Sequence, residues 1–138
     1  MKRLALLCLC AASLLLAVAC GEERQKSAAE ITAACPDATS WVLASEHVGE
    51  EITVYGHVVD AEFVQRGIEQ PTYLYVGKPP TESGGIRILI RKPNLLNFPF
   101  APEAEYKSKT LCITGIIEVA DDGELQIQLR SPSEVIVV

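Results

Sequence analysis

Two tyrosines and two arginines recur at alternate positions of neighbouring apolar stretches: Tyr73 and Tyr75 within Thr72 to Gly77, Arg87 and Arg91 within Ile86 to Lys92. A tyrosine ring offers a flat face on which a base or a guanidinium stacks, and arginine forks onto phosphate or carboxylate. If the stretches are adjacent strands, their period of two puts all four side chains on one face. Arg66, Lys78 and Lys92 would then flank it on loops, placed to neutralise phosphate. That is the chemistry of single-stranded oligonucleotide binding, in which each stacked base adds roughly 1–3 kcal/mol. Arginine stems laid over tyrosine rings are also an ordinary way to finish a solvated sheet face.

Charge decides between these. The 138 residues hold 12 basic and 18 acidic side chains, a net charge of −6. Loss of residues 1 to 19 would remove Lys2 and Arg3 and no acid, leaving ten basic against eighteen acidic residues, or −8. Such a chain repels polyanions at long range, so nucleic acid is disfavoured as a partner and would need a local basic patch.

The other reactive side chains are five cysteines. Lys2 and Arg3 precede an apolar run from Leu4 to Val18, which turns polar at Gly21 after Ala17-Val18-Ala19-Cys20. This has the form of an export signal with a small-residue cleavage site. The last four residues resemble a bacterial lipobox, in which the thiol receives diacylglycerol and the new N-terminus a palmitate-type chain. Cleavage after Ala19 without lipid is the alternative, but a boundary cysteine favours Cys20 as the acylated residue. The residues after it, without Asp at the second place, fit an outer-membrane lipoprotein facing the periplasm. Cys8 and Cys10 leave with the signal. Cys35 and Cys112 remain in an oxidising compartment, either bridged or separately buried as thiols. With only His47 and His57 beside them, no metal site is expected.

Residues 20 to 36 read as a polar, partly helical tether, and 37 to 138 as one domain. Asp37, Thr39 or Ser40 can cap a short helix whose Trp41, Ala44 and Val48 share a face before Gly49 stops it. The first strand, Glu51 to Val64, changes phase: Ile52, Val54 and Val58 give way to Val59, Ala61 and Phe63. With Gly56 before the change, this predicts one long bent strand shared by two halves of a barrel.

Leu74 and Val76 point inward in the second strand; Ile86, Ile88 and Ile90 do so in the third, leaving Arg87, Leu89 and Arg91 outside. Residues 94 to 106 are too proline-rich for one helix, with a helical turn around Glu103, and Leu95, Leu96, Phe98 and Phe100 plug the barrel end. In the fourth strand Leu111, Ile113, Ile117 and Val119 share a face, with a bend at Gly115. Asp121-Asp122-Gly123 turns into a fifth strand with Leu125, Ile127 and Leu129 inward. Ser131-Pro132-Ser133 leads to a short closing segment.

The expectation is an all-β chain, a closed five-stranded Greek-key barrel with a short N-terminal helix. The segments Thr53-Val54-Tyr55-Gly56-His57-Val58-Val59, Pro71-Thr72-Tyr73-Leu74, Gly77-Lys78-Pro79, Lys109-Thr110-Leu111-Cys112-Ile113-Thr114-Gly115 and Ser131-Pro132-Ser133, with Phe98 before a proline, carry a resemblance. From Gly49 onward the chain resembles single OB-fold domains of bacterial envelope lipoproteins and OB-fold modules found beside secreted nuclease-like domains. The resemblance implies the barrel and a binding role without a defined ligand. Such domains often carry a cysteine where Tyr55 stands, able to pair with the counterpart of Cys112; here Cys35 is the alternative.

No Gly-x-Ser-x-Gly elbow, phosphate-binding glycine loop or His-Glu-x-x-His helix occurs, and no enzyme or cofactor is expected. The favoured reading is a lipid-anchored interaction or structural module that meets an envelope protein. Oligonucleotide binding on the second and third strands is the alternative.

Overall fold

The computed structural model describes residues 25–138. Ser27 and Glu30 cap each other's backbone groups and start helix α1 (Ala28–Ala34) inside the stretch expected to be tether. After the short strand β1 (Thr39–Ser40), Ser40 caps a 3₁₀ helix, Trp41–His47. Ala44 of that helix is buried and Trp41 packs on the core, whereas Val48 is exposed.

Strand β2 (Glu51–Phe63) is the long element predicted. Glu51 to His57 pair antiparallel with β5 (Thr110–Ile116), and Val58 to Phe63 pair antiparallel with β3 (Thr72–Val76). The register slips between Val58 and Asp60. That bulge lets one strand serve two halves of the sheet, and it leaves Val59 and Phe63 exposed where the sequence put them in the core.

Gly56 is not the hinge: a Cβ there would lie 2.3 Å from Val76 and 2.8 Å from the Trp41 ring. At Gly77, where φ is +81°, an added Cβ would collide with the same ring. Together the two glycines make the slot that seats the indole.

Strand β4 (Ile86–Ile90) pairs antiparallel with β3 and parallel with β7 (Leu125–Gln128). β6 (Glu118–Val119) forms a hairpin with β7, and β8 (Val135–Val137) closes on β5. The order is β6-β7-β4-β3-β2-β5-β8, with β1 beside β2. One bent strand shared by both halves, a meander through β3 and β4, and a parallel return by β7 form the OB-fold arrangement.

The ladder does not close. β5 and β7 share no strand pairing, and their seam is side-chain packing, with Ile127 so near Gly115 that a Cβ there would lie 2.5 Å away. Gly115 therefore marks a close approach rather than the expected bend. Val119, placed in the core from sequence, is exposed beyond this seam.

Leu74, Val76, Ile86, Ile88, Ile90, Leu111, Ile113, Ile117, Ile127 and Leu129 form the core. Its end is filled by helices α2 (Lys92–Leu95) and α3 (Pro102–Tyr106) and the loop between them. Phe98 and Tyr106 are buried, and Phe100 meets both rings edge-on at 6.0 and 5.4 Å. Leu96, expected in this plug, is 89% exposed.

Cys35 and Cys112 are disulfide-linked, their Cα atoms 6.6 Å apart and 77 residues apart in sequence. Closing so long a loop stabilises by about 4 kcal/mol in the chain-entropy account. The bond fastens the end of α1, none of whose residues is buried, to the middle of β5. Tyr55 is the direct cross-strand neighbour of Cys112.

Candidate functional site: the outer face of β3 and β4

Alternation along β3 and β4 turns Tyr73, Tyr75, Arg87 and Leu89 away from the core, and the register sets what each one meets. Tyr75 lies between Asp60 and Arg87, and Arg87 faces Gln126, which faces Glu118. In the next row Glu62, Tyr73, Leu89 and Gln128 follow one another. The two tyrosine rings sit 6.2 Å apart, and the Arg87 guanidinium lies 5.3 Å from the centre of the Tyr73 ring.

Leu89 was expected outside. It is on the outer face, yet only 5% exposed, because Tyr73 and Gln128 flank it across the sheet and Arg87 and Arg91 along the strand. Long side chains bury their stems over such a residue while their polar heads reach water.

Arg87 is fully engaged. Its Nη1 and Nη2 donate to the two Asp122 carboxylate oxygens at 2.8 and 3.3 Å, and its Nε donates to Gln126 at 3.2 Å. Burial works against the guanidinium's charge, but the Asp122 fork outweighs it and holds the Arg87 pKa above its usual value. The same fork, helped by the Glu124 backbone N–H, holds the exposed Asp122 carboxyl below the usual carboxylate range.

The Tyr75 hydroxyl donates to Glu62. Burial first, then that carboxylate, push its pKa well above the ordinary tyrosine value. Asp60 is held low by the Lys107 ammonium, 2.9 Å away, and by the Ala61 backbone N–H.

The remaining predicted cations do not join this cluster. Arg91 lies at its edge, 3.5 Å from Glu69. Lys92 begins α2 and donates to the Gln70 side chain at 2.7 Å. Lys78 lines an adjoining hollow of about 230 Å³ that shares Tyr75, Arg87 and Asp122 with the cluster, and Arg66 is exposed on the loop before β3. The structure thus gathers Tyr73, Tyr75 and Arg87, sets Arg91 and Lys78 beside them, and leaves Arg66 and Lys92 apart.

What the sequence did not signal is the acid. A groove of about 550 Å³ crosses the face, lined by Tyr73, Leu89 and Val119 and by the charges of Arg87, Arg91, Glu69, Glu118, Asp121 and Asp122. Four carboxylates against two guanidiniums make it negative. Asp121 and Asp122 read from sequence as turn residues; the β6–β7 hairpin brings Asp122 onto Arg87 and Asp121 to the groove, because Gln126 pairs with both Glu118 and Arg87.

Among the described residues, no group of three or more His, Cys, Asp or Glu side chains is arranged to hold a metal ion, and no helix is long and apolar enough to cross a membrane. Cys20 and the export signal lie outside the described residues.

No family model matches the sequence, and no curated protein matches it significantly. Solved structures similar to it include yeast Stn1 and Ten1, at 22% identity and TM-score 0.43, covering 64% of this chain and 42% of that one. Asparaginyl-tRNA synthetase from Pyrococcus horikoshii matches at 12% identity and TM-score 0.44, over 67% of this chain and 20% of the other. Aspartyl-tRNA synthetase from Entamoeba histolytica matches at 16% and 0.48, over 83% and 23%. This chain therefore spans less than half the length of each of these three.

Proposed function

We propose that this chain is a non-catalytic interaction module of the bacterial cell envelope, held on the outer membrane through an acylated Cys20 and facing the periplasm. Its OB barrel meets an envelope protein through the outer face of β3 and β4. The observation that carries this reading is that both arginines of the face already lie against carboxylates, in a groove whose acids outnumber its bases. A phosphate chain arriving there would have to displace Asp122 and approach Glu118 and Asp121, which repel it.

Single-stranded nucleic acid is the second reading, and it rests on one observation, the contiguous Tyr73, Tyr75 and Arg87 cluster. In-cell photo-crosslinking from a reactive residue at position 126, followed by mass spectrometry, separates the two. One recurring envelope protein is the expected product; recurring nucleic acid, or no product at all, overturns the proposal. Intact-mass measurement of the mature protein tests the anchor, which requires a diacylglyceryl group on Cys20.

A further inference from the structure

The outer-face groove also carries information about its occupant, and this inference rests on the interaction-module reading. Its two walls differ. On the β4 wall, Arg87 is forked to Asp122 and Arg91 faces Glu69. On the hairpin wall, Glu118 and Asp121 have no ion-pair or hydrogen-bond partner among the described residues, so the unneutralised charge of the groove is concentrated on that side. Between the walls run the Tyr73 ring, Leu89 and Val119, the last 55% exposed. The hairpin wall contains β6, the edge of the sheet, whose far side has no strand partner.

A ligand that satisfies all of this is extended, presents a cation to Glu118 and Asp121, and lays an apolar or aliphatic surface on the Tyr73 ring and Val119. Lysine and arginine meet both needs in one side chain, since a long apolar stem carries the charged head. An acidic segment would meet uncompensated carboxylates, and a neutral one would leave the hairpin wall unused.

The geometry points to an extended, lysine- or arginine-bearing segment of a partner protein as the occupant of the groove between β4 and the β6–β7 hairpin. Its cation sits between Glu118 and Asp121, and its aliphatic part covers Val119 and the edge of the Tyr73 ring.

The test uses a fluorescent peptide alternating lysine and valine, its glutamate–valine counterpart and a short oligothymidylate, each titrated into the full chain at low salt. The lysine peptide is expected to bind with salt-sensitive affinity and to shift the NMR signals of Tyr73, Leu89 and Val119. Glu118→Gln and Asp121→Asn, near-isosteric changes at surface positions whose folding is checked by thermal melting, should each weaken binding about three- to fivefold. Glu46→Gln, on the distant 3₁₀ helix, should leave it unchanged.

Equal binding of the glutamate peptide, shifts that map elsewhere, or indifference to both groove variants would each overturn the cationic occupant. If the lysine peptide fails while crosslinking from position 126 still captures one protein, the chemistry assigned to the occupant is wrong and the module reading stands. If oligothymidylate binds at these residues instead, both fall.

Discussion

The two faces of β3 and β4 are built by different physics. Inside, Leu74, Val76, Ile86, Ile88 and Ile90 are almost wholly removed from water and are held by packing alone. Outside, one residue away along each strand, Tyr73, Tyr75 and Arg87 are held by named partners: a ring against a guanidinium, a hydroxyl on Glu62, a fork on Asp122. Packing is cumulative and tolerates no gap. Exposed polar pairs contribute little each and can be exchanged for a ligand's groups. The inner face therefore carries the stability of the domain, and the outer face is free to carry its recognition.

The strongest attempt to break this contrast is Leu74→Ala. Emptying a fully buried leucine site should cost about 3 kcal/mol in urea unfolding; a loss below about 1 kcal/mol would mean the core is not close-packed there. Gly77→Ala comes next, at about 2 kcal/mol or more, because φ +81° disfavours a side chain and the Trp41 ring occupies its space. Trimming the ring as well, with Trp41→Leu, should recover part of that loss and so show which of the two causes dominates.

On the outer face, Arg87→Ala should cost about 1 kcal/mol, because it removes the stem beside Leu89 as well as the fork on Asp122. It leaves the groove more negative, so the crosslink from position 126 should survive it. The smallest effect is acid titration. Asp60 and Asp122 have folded pKa values below the usual 3.8, so the unfolded chain takes up their protons first. Their contribution is complete above about pH 4 and is lost as pH falls below that. NMR titration of both carboxyls should give midpoints under 3.8, and midpoints above it would mean that the Lys107 and Arg87 contacts do not form in solution.

The inner face was legible because burial on one side of a strand writes itself as a period of two, and Ile86, Ile88 and Ile90, like Leu125, Ile127 and Leu129, keep that period without interruption. The long shared strand and the place of its slip were legible from the phase change after Val58, where the bulge lies; the role of Gly56 was not, because its missing side chain admits Val76 and Trp41. Val48, Phe63, Leu96 and Val119 were misplaced because an apolar residue at an element's end gives no sign of whether anything covers it, and Val59 because it sits in the bulge.

Leu89 lies on the outer face as read, but its burial was not legible, because the stems of its polar neighbours cover it. The outer face was half legible. The Tyr and Arg residues announced themselves by spacing, but the carboxylates that neutralise them come from segments distant in sequence. The pairing of Arg87 with Asp122 follows only from the register of a hairpin that no local pattern specifies.

The most direct test combines the two faces in one molecule. Glu118→Lys with Asp121→Lys, both at exposed positions and carried beside the photoreactive residue at position 126, should melt within a few degrees of the parent and lose the crosslink to its protein partner. A variant that unfolds, or one that keeps both its melting temperature and its crosslink, would contradict the assignment of stability to one face and recognition to the other.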